Sequence, residues 1–111
     1  MPANQSGAEL VICNGEFEGT RHAVHSEETL IGRNPKTDIT LLDARISREH
    51  AIVAWDAARG RYTLEDLQST NGSKVNGKRV RSSDLVHGDE LEIGHTKFKF
   101  LLKASEAGAS A

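Results

Sequence analysis

Hydrophobic and polar residues alternate with a period of two along several short runs of this chain. In "TKFKFLL", Phe98 and Phe100 fall on one face of an extended segment, and Lys97 and Lys99 fall on the other. In "RYTLEDL", Tyr62, Leu64 and Asp66 share a face opposite Arg61, Thr63 and Glu65. "ELVIC", "RHAVH", "TLIG", "HAIVAW" and "DELEIG" are runs of the same kind. They are rich in β-branched and aromatic residues, and nearly all are bounded by Gly, Asn, Asp or Pro. No window sustains a long amphipathic helix. "SREHAIVAWDAARG" comes nearest, but its β-branched centre and its alternation favour a strand. The pattern predicts an all-β fold, and a strand spacing of roughly 8–12 residues suits an antiparallel sandwich or barrel.

Turn chemistry sharpens this outline. Three Asn-Gly pairs, at 14–15, 71–72 and 76–77, mark positions where positive φ is expected. "STNGSKVNGKRV" therefore reads as a tight loop, a very short strand and a hairpin turn, enough to hold polar groups in a fixed shape. Asp89 after Gly88 reads as turn chemistry ahead of a strand. The two ends, 1–8 and 103–111, are small and polar, without periodicity, and are expected to be flexible; the folded domain is expected over 9–102.

The chain's 111 residues suffice for one domain with one modest core. Its 14 Lys and Arg against 16 Asp and Glu give a formal net charge of −2, which argues against a general nucleic-acid or membrane binder. The single cysteine, Cys13, allows no internal disulfide and no cysteine-based zinc site, and its apolar neighbours predict a small buried hydrophobe. The first residues have no apolar signal core, and no apolar run approaches the roughly 20 residues of a membrane span. The expectation is a soluble intracellular, cytoplasmic domain.

Several patterns suggest chemistry, and most have a plainer reading. His22 and His25 face opposite ways on a strand, so no metal is expected, and no cofactor motif is present: "GRNPKTD" lacks the Gly-Lys-Ser/Thr ending of a phosphate loop. Trp55 and Tyr62 have no surrounding basic run, so packing is favoured over base stacking. "ARISREH" at 44–50 is different, for it packs two arginines, a serine and a histidine around one isoleucine. A Ser47/His50 nucleophile and base is one reading, but no acid orients the histidine, and positions i and i+3 of an extended segment face opposite ways. A phosphate site is another: a dianionic phosphate needs a guanidinium fork, hydroxyl and backbone donors and a rigid loop, and Arg33, Ser47, Arg48 and Thr70 supply them if the loops converge.

Four pieces, Gly32-Arg33, "SREH" at 47–50, "STNG" at 69–72 and "VNG" at 75–77, resemble in order and spacing the forkhead-associated (FHA) domain. The resemblance covers about residues 9 to 102 and implies a β-sandwich with its binding loops at one end, reading phosphothreonine peptides. It implies that Arg33 contacts the phosphate or nearby peptide backbone, that Ser47 donates its hydroxyl to phosphate, and that Arg48 adds a phosphate contact. Thr70 would border the pocket and Asn71 would hold the peptide main chain. His50 would be an internal brace, with Gly32, Gly72, Asn76 and Gly77 as structural support. Gln68 replaces the glycine common in the family's "DLGSTNG", and Ser73 stands where threonine is frequent; neither removes a phosphate ligand. Arg45, two residues before Ser47, would share its face on an extended segment and read an acidic residue of the peptide.

The leading expectation is a non-enzymatic phosphothreonine-peptide module, linked to a Ser/Thr protein kinase, with no nucleic-acid or membrane partner. A phospho-independent scaffold using another surface of the sandwich is the alternative, and a Ser47/His50 hydrolase the third reading.

Overall fold

The computed structural model of the protein describes residues 7–24 and 27–102. Among the described residues, eleven strands form two sheets. One has the order β2-β1-β11-β10-β7-β8: β1 Ala8–Ile12, β2 Arg21–Val24, β7 Ser73–Val75, β8 Lys78–Val80, β10 Glu90–Ile93 and β11 Thr96–Leu102. The other runs β4-β3-β5-β6-β9: β3 Glu28–Gly32, β4 Ile39–Thr40, β5 Ala51–Asp56, β6 Arg61–Asp66 and β9 Ser82–Leu85. No helix among the described residues is long and apolar enough to cross a membrane. The sandwich is the expected all-β fold, antiparallel except where β4 runs parallel to β3, with Ile31 opposite Ile39.

The alternation in the sequence builds the core between the sheets. Leu10, Leu91, Ile93, Phe98 and Phe100 come from the six-stranded sheet, and Ile31, Ala51, Val53, Leu64 and Tyr62 from the other; all are buried. Each such aliphatic or aromatic side chain taken from water stabilises the fold by roughly 1.5–3 kcal/mol before entropy is set against it. Tyr62 stacks edge-on against Phe100 with ring centroids 5.6 Å apart, and against Trp55 at 4.9 Å. Trp55 lies at the rim, 41% exposed, so its ring is only half a core residue.

Two sequence expectations need correction. Cys13 is exposed, not buried: β1 ends at Ile12, and the inward parity of the strand belongs to Ala8, Leu10 and Ile12. Of the three Asn-Gly pairs only Asn76-Gly77 has positive φ at both residues, 52° and 85°; elsewhere the glycine alone turns. β1 begins at Ala8, buried and paired with Leu102. Residues 1–6, His25 and 103–111 lie outside the described residues.

The register also decides which loops meet. β3 ends, β5 begins and β6 ends at one rim of the sandwich, so segments 33–38, 41–50 and 67–72 are neighbours there. Trp55 and the 57–60 turn lie at the opposite rim.

Candidate functional site

The three loops are joined by backbone bonds first. Arg33 N–H donates to Ser47 O (3.0 Å), Asn34 N–H to Arg48 O (3.1 Å), His50 N–H to Ile31 O (2.9 Å) and Leu67 N–H to His50 O (2.9 Å). This close approach explains Gly32, where any Cβ would overlap the Arg48 carbonyl. Segment 43–50 is a turn anchored by buried Ile46 and by Asp43. The Asp43 carboxylate accepts the amides of Arg45 (2.9 Å) and His95 (3.0 Å), and these two bonds hold its pKa below the usual carboxylate value.

His50 is fully buried beneath the loops. Its Nδ1 accepts the Ser47 amide at 3.1 Å and its Nε2 faces Gly72 O at 2.8 Å. An amide only donates and a carbonyl only accepts, so the ring proton sits on Nε2. One imidazole thus ties segment 41–50 to segment 67–72. It also removes the hydrolase geometry: both ring nitrogens have backbone partners, and Ser47 Oγ accepts the Thr70 amide instead (3.1 Å). The i to i+3 argument from an extended segment does not apply, because residues 44–46 turn.

The residues facing solvent keep part of their donor capacity. Arg33 is exposed and uses only Nε, which donates to Ile46 O at 3.0 Å; its terminal nitrogens have no partner among the described residues. Ser47 Oγ accepts from Thr70, which leaves the hydroxyl proton free to turn outward. Arg48, Thr70 and Asn71 are exposed beside it, and Asn71 Nδ2 donates to Arg45 O (2.7 Å), a second strap between the loops. Arg45 is exposed on the 44–46 turn, so the shared face with Ser47 does not hold; Asn71, not strand geometry, brings Arg45 to the site.

Asn76 and Gly77 are not at this rim. Asn76 Nδ2 donates to Asp89 Oδ1 and Asn76 Oδ1 accepts the Glu90 amide, both at 3.0 Å, so the pair shapes the β7–β8 hairpin at the far end of β7. The expectation that they support the site is corrected: a short strand separates them from Gly72. Asp89 accepts the Val86 amide as well (2.9 Å) and fills the turn role expected for it.

One organising residue carried no clear signal in the sequence. Asp66 Oδ1 accepts the hydroxyls of Ser69 (2.6 Å) and Ser73 (2.7 Å), Oδ2 accepts the Ser69 amide (3.0 Å), and Ser69 Oγ accepts the Gly72 amide (2.9 Å). Its Oδ1 lies 3.8 Å from His50 Nε2. Burial opposes the charged form of Asp66, but the Ser69 and Ser73 hydroxyls and the Ser69 amide outweigh it and hold the pKa low. The inward parity of Asp66 on β6 was the available clue.

Two measurements follow. A depressed folded pKa means that ionised Asp66 stabilises the fold fully above its unfolded pKa of about 3.9, and that this is lost as pH falls through the lower folded value. Urea denaturation from pH 7 to pH 3 should show that loss in the native chain, and Asp66→Asn should be weaker at pH 7 and flatter below pH 4; parallel curves would contradict it. Gln68, at φ 57°, is a long side chain in the left-handed region. Gln68→Gly should therefore raise stability by roughly 0.5–1 kcal/mol, left-handed strain relieved less the added chain entropy. An unchanged or lower midpoint would show that the Gln68 side chain compensates its own strain.

Comparison with known proteins gives the family of the fold. The FHA domain family model matches residues 29–94. The chain is 37% identical over 103 residues to an oxoglutarate dehydrogenase inhibitor of Corynebacterium jeikeium (strain K411), covering 93% of this chain and 70% of the relative. It is 36% identical over 104 residues to the glycogen accumulation regulator GarA of Mycolicibacterium smegmatis, covering 92% and 65%. A structure from a study of phosphothreonine-dependent FHA domain interactions superposes with a TM-score of 0.77 at 29% identity, covering 86% of this chain and 95% of that one. With the family model spanning more than half of the sequence, the chain belongs to the FHA domain family.

Proposed function

We propose that the chain is a phosphothreonine-peptide-binding module that joins proteins in response to a Ser/Thr kinase, and that it is not itself an enzyme. The observation that carries this reading is the knot at one rim. The side chains of Arg33, Ser47 and Asn71 are each fixed by one internal bond, and each keeps polar groups facing outward. A guanidinium fork and a hydroxyl held in place bind phosphate without first losing rotamer freedom. In this reading Arg33 and Ser47 hold the phosphate, Arg48 adds charge, Thr70 walls the pocket and Asn71 Oδ1 accepts from the peptide main chain. Arg45 meets an acidic residue further along the peptide. The similarity to a structure studied for phosphothreonine-dependent interactions supports the ligand. The names of the two relatives, an inhibitor and a regulator, support a role exerted by binding, which this reading assigns to the cytoplasm.

Calorimetric titration with matched threonine and phosphothreonine peptides tests it. The phosphorylated peptide alone should bind, and its affinity should fall as pH drops from 7.5 to 5 through the second phosphate pKa of about 6, because loss of one negative charge weakens the pairs with Arg33 and Arg48. Arg33→Ala should weaken binding by about tenfold or more, a charged hydrogen bond contributing roughly 1.5–3 kcal/mol. It should lower fold stability by only about 1 kcal/mol, for the lost bond to Ile46 O. His50→Ala leaves the Ser47 amide and the Gly72 carbonyl without their buried partner, so stability should drop by about 1–3 kcal/mol for each. Equal affinity for both peptides would establish a phospho-independent scaffold instead.

A further inference from the structure

Two arginines outside this pocket face one groove. β8 is the outer strand of its sheet, and Arg79 on it and Arg81 just beyond it line an open groove of about 360 Å³. The facing wall is Gln68, Ser69 and Gly72 of the loop that carries Thr70 and Asn71. Arg79 is seated by Gly72 itself: at φ +83° and without a Cβ, Gly72 admits the Arg79 guanidinium, which any side chain there would displace. The same glycine accepts His50 Nε2 through its carbonyl. Gly72 is thus clasped between the site's brace and Arg79.

Neither Arg79 nor Arg81 has a carboxylate partner among the described residues; the ion pairs engage Arg21, Arg59, Arg61 and Lys97. Asp66 also lines the groove, but its oxygens already accept two hydroxyls and an amide. In a chain of net charge −2, two unpaired guanidiniums in one groove are a local reversal of sign. Their planar forks suit a carboxylate or a phosphate.

We propose that this groove is a second anion subsite, which takes a carboxylate or a second phosphate on the same peptide, a few residues from its phosphothreonine. This rests on the reading above, since the peptide must lie across the Ser69–Gly72 loop. The chemical class of the ligand is then a peptide phosphorylated once and acidic, or phosphorylated twice.

The test is fluorescence anisotropy with a phosphothreonine peptide whose flanks are neutral. Glutamate or phosphoserine is placed in turn at each flanking position on both sides. One position should gain about three- to tenfold in affinity with glutamate and more with phosphoserine, as expected for an exposed to partly buried ion pair. The gain should vanish in the double variant Arg79→Gln/Arg81→Gln and shrink in Arg81→Gln alone, which leaves the Gly72 contact in place. The neutral-flanked phosphopeptide should bind these variants within about twofold of the native chain. Lys78→Gln, a cation of the same hairpin, should leave the gain intact. No gain beyond one that Arg45→Gln removes, or a gain that survives both Arg45→Gln and the double variant, would overturn the subsite, and an equal loss in Lys78→Gln would assign it to the general field. Binding of a random oligonucleotide that the double variant abolishes would overturn it in favour of nucleic acid. Failure of the neutral-flanked peptide to distinguish phosphothreonine from threonine would instead remove the reading on which the subsite rests.

Discussion

A buried imidazole with two backbone partners is the constraint on which this site depends. His50, itself fully buried, fixes the Ser47 amide on one side and the Gly72 carbonyl on the other. From that ring the bonding runs outward: Gly72 to Ser69, Ser69 to Asp66, Ser47 to Thr70, and Asn71 back to Arg45. Segments far apart in sequence become one surface, although neither has regular secondary structure there. A buried polar network of this sort is stabilising when every member is satisfied and destabilising when one is missing.

The same bonds explain how a nearly neutral chain can gather three arginines at one rim. Repulsion among Arg33, Arg45 and Arg48 opposes their gathering, and each is held by something other than charge. Arg33 Nε is tied to Ile46 O, Asn34 N–H grips the Arg48 carbonyl, and the Arg45 carbonyl and amide are taken by Asn71 and Asp43. Cations are thus positioned by their backbone while their charged ends stay in solvent. Ordering is completed during folding, so little of it is left to oppose ligand binding.

Much of this was legible in the sequence, for reasons that differ by element. β1, β5, β6 and β11 announce themselves because one face of each is buried and alternation is enforced. β9, "SSDL", and the two-residue β4 do not, since a polar or very short edge strand is defined by its neighbour rather than by its own pattern. The rim constellation was legible as an ordered set of motifs. Its internal wiring was not: that Asp66 would gather Ser69 and Ser73, or that Arg45 would sit on a turn, depends on how loops pack. Cys13 misled because an apolar run does not say where its strand stops. Asn76-Gly77 forms the hairpin turn read for it, but its nearness to "STNG" in sequence suggested a tie to the site that one short strand undoes.

The location of binding is tested most directly by backbone amide chemical shifts during titration with a phosphothreonine peptide and its unphosphorylated twin. The phosphorylated peptide should move the amides of Arg33, Ser47, Arg48, Thr70 and Asn71 and leave Trp55 and Gly60, at the opposite rim, in place, while the twin moves none of them. Shifts centred on the Trp55 rim, or the same shifts with both peptides, would contradict a phosphate site built around His50.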